Sequence, residues 1–119
     1  MIEIGSRRRS QPAPPRIVFE AFSDPDRDPF RSWLELLHDE QRPTILSSKA
    51  PSMLVWSSLW VNRQDAVVKF DLLPSEDGGT DLRWTLHVDE PAPEDALVGH
   101  MRMRLNRLIN ANLRYTFGQ

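Results

Sequence analysis

Apolar and polar positions follow two periods along this 119-residue chain, and the change of period marks its elements. From Glu94 to Phe117 the period is helical: at about 100° per residue, Leu97, Val98, Met101, Leu105, Leu108, Ile109 and Tyr115 share one stripe. This predicts a single C-terminal helix about 35 Å long, enough to cross one face of a small domain. Asn112 lies near the middle of the stripe, where a buried amide needs hydrogen-bond partners. Asp89, Glu90, Glu94 and Asp95 gather at its start, and Arg102, Arg104, Arg107 and Arg114 follow. Those signs complement the helix dipole.

Upstream, Met1 to Ser10 alternates weakly and predicts a first strand. Gln11-Pro12-Ala13-Pro14-Pro15 ends it and suits the first turn of a helix over Arg16–Phe22, with Ile17, Val18, Ala21 and Phe22 inward. A second short helix is expected from Pro29 to His38, presenting Phe30, Trp33, Leu34 and Leu37. Period two then takes over. Strands are expected at Pro43–Ser48, Ser52–Trp60, Asp65–Leu73 and Thr80–Val88, the last with Leu82, Trp84, Leu86 and Val88 inward. Gly78 and Gly79 supply a turn between the last two.

Length suits one domain spanning 1–119 with a core of its own. There is no cysteine, so a disulfide framework, a thiolate metal site and a cysteine nucleophile are excluded. Three scattered histidines make no metal motif, and no cofactor is expected. A net charge of −2 gives no global attraction to nucleic acid or anionic membrane. Arg104, Arg107 and Arg114 read as a solvated outer flank of the helix, so no nucleic-acid partner is expected. No apolar run approaches membrane-span length, and Arg7-Arg8-Arg9 leads into prolines and not an export signal; the expected location is cytoplasmic.

The order strand, helix, helix, antiparallel strands, long helix is the layout of an α+β helix-grip fold. The chain resembles the SRPBCC, or START-like, superfamily, which includes polyketide cyclase/dehydrase-like proteins and heat-shock-protein activator homologues. The resemblance rests on the phrase Ala13-Pro14-Pro15-Arg16-Ile17-Val18-Phe19-Glu20-Ala21-Phe22-Ser23-Asp24-Pro25, on Trp33, on Met53-Leu54-Val55-Trp56, and on Gly79-Thr80-Asp81-Leu82-Arg83-Trp84-Thr85-Leu86. It implies a curved antiparallel sheet wrapped on the last helix. The few residues between Trp33 and Pro43 leave no room for a hairpin that typical members carry. About five strands are therefore expected, with Pro43–Ser48 as an open edge that favours a homodimer.

The resemblance also implies an apolar cavity between sheet and helix that holds a small hydrophobic or amphipathic molecule. Residues expected around it are Trp56, Ser58, Trp60, Val68, Phe70, Leu82, Trp84, Leu86, Met101, Leu105, Leu108 and Asn112. Side chains at these spacings also form ordinary packed cores. The alternative function is therefore a protein-interaction or dimerisation module with a filled core. A cyclase or dehydratase comes third, with Tyr115, His100 and Asn112 as the polar groups on the helix best placed to act. No Ser-His-Asp pattern, phosphate loop or metal spacing supports an enzyme, and no catalytic residue is assigned.

Overall fold

The alternating stretches pair into one antiparallel sheet. The computed structural model describes residues 1–27 and 32–118. Its elements are β1 (Ile2–Gln11), α1 (Pro15–Ser23), β2 (Ile45–Lys49), β3 (Met53–Trp56), β4 (Val67–Pro74), β5 (Thr80–Val88) and α2 (Asp95–Arg107). A π-helical stretch, Leu108–Leu113, and a last turn, Arg114–Thr116, continue α2 without a break, so the C-terminal helix is 22 residues long. The sheet order is β1-β5-β4-β3-β2, and every pairing is antiparallel. Five strands and a long terminal helix make the expected helix-grip architecture.

Pairing puts Phe70 opposite Trp84 and Leu54, and Leu72 opposite Leu82, so directly opposed residues build one apolar face. Those side chains are buried, together with Leu86 and Val88. Met101, Leu105, Leu108, Ile109 and Leu113 cover part of this face, and Val18, Ala21 and Phe22 of α1 cover another part. The turn into β5 uses its glycines differently from one another. Gly78 has φ 88°, whereas at Gly79 a Cβ would stand 2.3 Å from the Gln11 carbonyl oxygen. The expected strand Ser52–Trp60 is shorter, because after Trp56 the chain turns on the Ser58 hydroxyl, which accepts from the Trp60 amide and donates to the Arg63 carbonyl. Trp60 then forms an isolated bridge with Glu40.

Three further sequence expectations are corrected here. The second short helix is absent from Ser32–Leu37, which has no regular structure; Pro29, Phe30 and Arg31 lie outside the described residues. Tertiary bonds compete with the helix there: the Leu37 amide donates to Glu40 Oε1 and the Glu35 carbonyl accepts from Arg104, so neither serves an i→i−4 ladder. Trp33 and Leu34 are still buried, as expected of that stretch, but Leu37 is exposed.

Arg104 is not on a wet flank. Its side chain is 6% exposed and that of Glu40 is 0%, with Arg104 Nε 2.8 Å from Glu40 Oε2 and Nη2 2.8 Å from Oε1. The hydrogen bonds to Glu40 hold the guanidinium pKa above its ordinary value. A bidentate pair of this kind satisfies charge and geometry together, which is what makes its burial tolerable.

The helix stripe also turns partway along. Tyr115 is 77% exposed, Asn112 is only half-buried, and Leu113 is buried. A π-helical stretch carries an extra residue, which rotates everything after it by about 100° relative to an ideal α-helix. The inward direction therefore passes from Asn112 to Leu113.

Two substitution pairs test this packing. Leu113→Ala should cost about 2–5 kcal/mol, while Tyr115→Ala should stay within about 0.5 kcal/mol in the same denaturant titration. Glu40→Ala should cost about 3–5 kcal/mol by leaving Arg104 buried and unpaired, and the Glu40→Leu/Arg104→Met double variant should recover most of that loss.

Candidate functional site

The apolar face of the sheet ends, towards β2, in an aromatic cluster. Phe22 of α1 stacks on Phe70 of β4 with ring centroids 4.1 Å apart, and meets Trp56 of β3 edge-on at 5.4 Å. Trp33, from the irregular segment, lies parallel to Trp56 at 5.9 Å with an interplanar angle of 16°. Both indoles are held by α1: Trp33 Nε1 donates to the Ala21 carbonyl and Trp56 Nε1 to the Phe22 carbonyl. Those two acceptors come from the last turn of α1, where carbonyls lack intrahelical partners.

Beside this cluster a crevice of about 80 Å³ opens between α1, the irregular segment and β2. Phe22, Trp56, Leu34 and Ile45 supply apolar walls; Asp26 and Arg42, which form an ion pair, stand with Ser23 among its polar groups. Apolar walls with a few placed polar groups are the general composition of a small-molecule site. The volume is well below the roughly 300 Å³ at which such sites begin.

Of the twelve side chains expected around a cavity, Trp56 alone lines this crevice. Val68, Phe70, Leu82, Trp84, Leu86, Met101, Leu105 and Leu108 are buried in the common core, as is Trp60. Ser58 spends its hydroxyl on the turn after β3. Asn112 is half-buried. The amide that meets a core indole is instead Asn106, whose Oδ1 accepts from Trp84 Nε1 at 3.2 Å.

The polar groups proposed for a cyclase do not converge. His100 and Asn112 are twelve residues apart on one helix, about 18 Å along its axis, and Tyr115 faces solvent. His100 lies 3.9 Å from Asp39, and ligand atoms of Asp39, Glu40 and His100 fall within 4.8 Å of one another. A cation could be held by such donors, but both Glu40 oxygens already face the Arg104 guanidinium. That arginine is the positive charge the cluster accommodates.

Sequence reasoning missed Glu40, Arg104, Phe22 and Leu34 as parts of this region. Phe22 and Leu34 were legible as core but not as crevice walls. Glu40 and Arg104 stand 64 positions apart, and no local pattern links them.

No protein-family model matches the chain, and no curated protein matches it in sequence. Solved structures do. The Aha1 dimer from Colwellia psychrerythraea matches with a TM-score of 0.71 at 14% identity, over 96% of this chain and 94% of that one. A Bacillus halodurans protein matches at 0.66 and 21% identity, over 97% and 96%. CalU16 from Micromonospora echinospora matches at 0.64 and 21% identity, over 88% and 70%. At these identities the likeness is one of architecture, and it agrees with the strand order and terminal helix described above: the chain has the helix-grip fold of START-like, polyketide cyclase-like proteins.

Proposed function

We propose that this chain binds a small hydrophobic or amphipathic molecule, held against the aromatic cluster at the crevice beside β2. The observation that carries this is the crevice itself: its walls include the Trp56 and Phe22 side chains of the core, with an Asp26–Arg42 pair at hand for a polar group. The fold supports the same function, since START-like proteins are a ligand-binding architecture. The remaining expected residues, from Ser58 and Trp60 through Val68, Phe70, Leu82, Trp84, Leu86, Met101, Leu105, Leu108 and Asn112, would then back the site and not line it. Native mass spectrometry with small aromatic probes such as indole should detect a one-to-one complex. Ser23→Phe, which narrows the crevice, should abolish that complex without lowering the melting temperature.

Self-association is a second function, supported by β2. All five of its residues are exposed, Ile45 by 45% and Leu46 by 56%, and its far edge is unpaired among the described residues. An exposed edge with apolar side chains is a template for another strand. The Colwellia Aha1 relative is itself described as a dimer. Pairing of β2 with β2 of a second copy would extend the sheet across both chains. In sedimentation experiments the wild type should then be dimeric and Ser48→Pro, which removes an edge donor, monomeric with an unchanged far-ultraviolet circular dichroism spectrum.

A further inference from the structure

The segment Ser32–His38 is attached to the fold in an unusual way. Among the described residues its backbone forms no hydrogen bond with the backbone of a strand or helix; its backbone-to-backbone bonds are local, Glu35 amide to Trp33 carbonyl and Glu40 amide to Leu37 carbonyl. What holds it down is a set of side-chain tethers. Trp33 Nε1 donates to Ala21 at 3.0 Å, Ser32 Oγ donates to Asp26 Oδ1 at 2.6 Å, Arg104 Nη2 donates to the Glu35 carbonyl at 2.9 Å, and Glu40 Oε1 accepts from the Leu37 amide at 2.9 Å. Three apolar side chains, the buried Trp33 and Leu34 and the half-buried Leu36, complete the attachment. Segments held by few contacts and no shared ladder open locally at lower free energy than the sheet they cover.

The crevice adjoins this segment through Leu34, and at about 80 Å³ it is too small for an ordinary ligand. The buried indole of Trp33 fills the space against two of the crevice-lining side chains, parallel to Trp56, edge-on to Phe22 at 5.3 Å and bonded to an α1 carbonyl. That space is therefore shaped for a flat ring with one donor. We propose that Ser32–His38 is a strap whose Trp33 occupies the inner part of the ligand site, and that the molecule taken up there is a planar aromatic of about indole size bearing an N–H or O–H donor. The ligand displaces Trp33, stacks on Trp56 and donates to the Ala21 carbonyl. Glu40 stays on Arg104 and on its bridge to Trp60, so the strap hinges there while the helix keeps its buried charge pair.

The inference rests on the crevice as the ligand site, and the experiment separates the two. Indole is titrated by calorimetry into the wild type, W33F and W33A, and hydrogen exchange of the wild type is measured with and without saturating indole. If the strap competes with the ligand, W33A binds indole at least about tenfold more tightly than the wild type, because the self-occupied fraction no longer taxes the affinity. W33F, which keeps a ring but loses the bond to Ala21, falls between them. Amides of residues 32–38 exchange faster when indole is bound, while those of β3, β4 and β5 do not. Indole binding with unchanged strap exchange overturns the strap, even if W33A binds more tightly, since an emptied indole site can fill without Trp33 ever leaving in the wild type. Equal affinities in all three proteins overturn it as well and leave the crevice standing. No binding by any folded form removes both. Should W33A fail to fold, W33F and the exchange measurement decide.

Discussion

One apolar sheet face has to be kept from water, and a single helix is too narrow to do it. Five strands spaced about 4.8 Å apart present a face roughly 19 Å across between the outer strand axes, while a helix with its side chains covers about 10–12 Å. In this chain the terminal helix packs its Met101, Leu105, Leu108, Ile109 and Leu113 into the common core, and α1 together with the irregular segment supplies Phe22, Trp33 and Leu34. Large rings suit that second cover, because each fills much volume with few rotatable bonds and stacked or edge-on geometry adds to the burial. The arrangement of Phe22, Trp33, Trp56 and Phe70 thus completes the cover that the terminal helix leaves unfinished.

A cover made of an irregular segment needs something to locate it. Arg104 does this from the helix side, with one guanidinium bonded to the Glu40 carboxylate and to the Glu35 carbonyl. The pair is a device of position more than of net stability, since desolvating two charges offsets much of their attraction. It also explains why a helix with so many arginines does not present a uniform basic flank: Arg104 is consumed internally, and Arg114 donates to the Ser10 carbonyl at the end of β1. The second contact, with Gln11 Nε2 on the Ile109 carbonyl, ties the π-helical stretch to the first strand. A carbonyl in such a stretch is bonded less regularly than in an α-helix and is available to a side chain.

These features bear on function by leaving one side of the molecule incomplete. The deep interior under the helix is occupied by core side chains, whereas the side towards β2 carries an open strand edge, a shallow crevice and a tethered segment in close succession. The proposed ligand uptake and self-association would therefore draw on neighbouring parts of the same margin, Ile45 being both a wall of the crevice and a member of the edge strand.

Much of this was legible along the chain, because period two and period 3.6 are local consequences of strand and helix geometry. Five strands, α1, the long final helix and the inward set Leu82, Trp84, Leu86 and Val88 all follow from spacing and from proline and glycine punctuation, whereas the edge position of the segment near Pro43–Ser48 came from the family resemblance. Such patterns assume an ideal repeat and see only neighbours a few residues apart. They could not register the extra residue that exchanges Asn112 for Leu113, because the stripe was projected at a constant 100°. Nor could they find the carboxylate that draws Arg104 inward, or the tertiary hydrogen bonds that keep Trp33 in place without a helix. Those were decided when distant groups met in a solvent-excluded space, where an unpaired charge or amide costs more than local propensity returns.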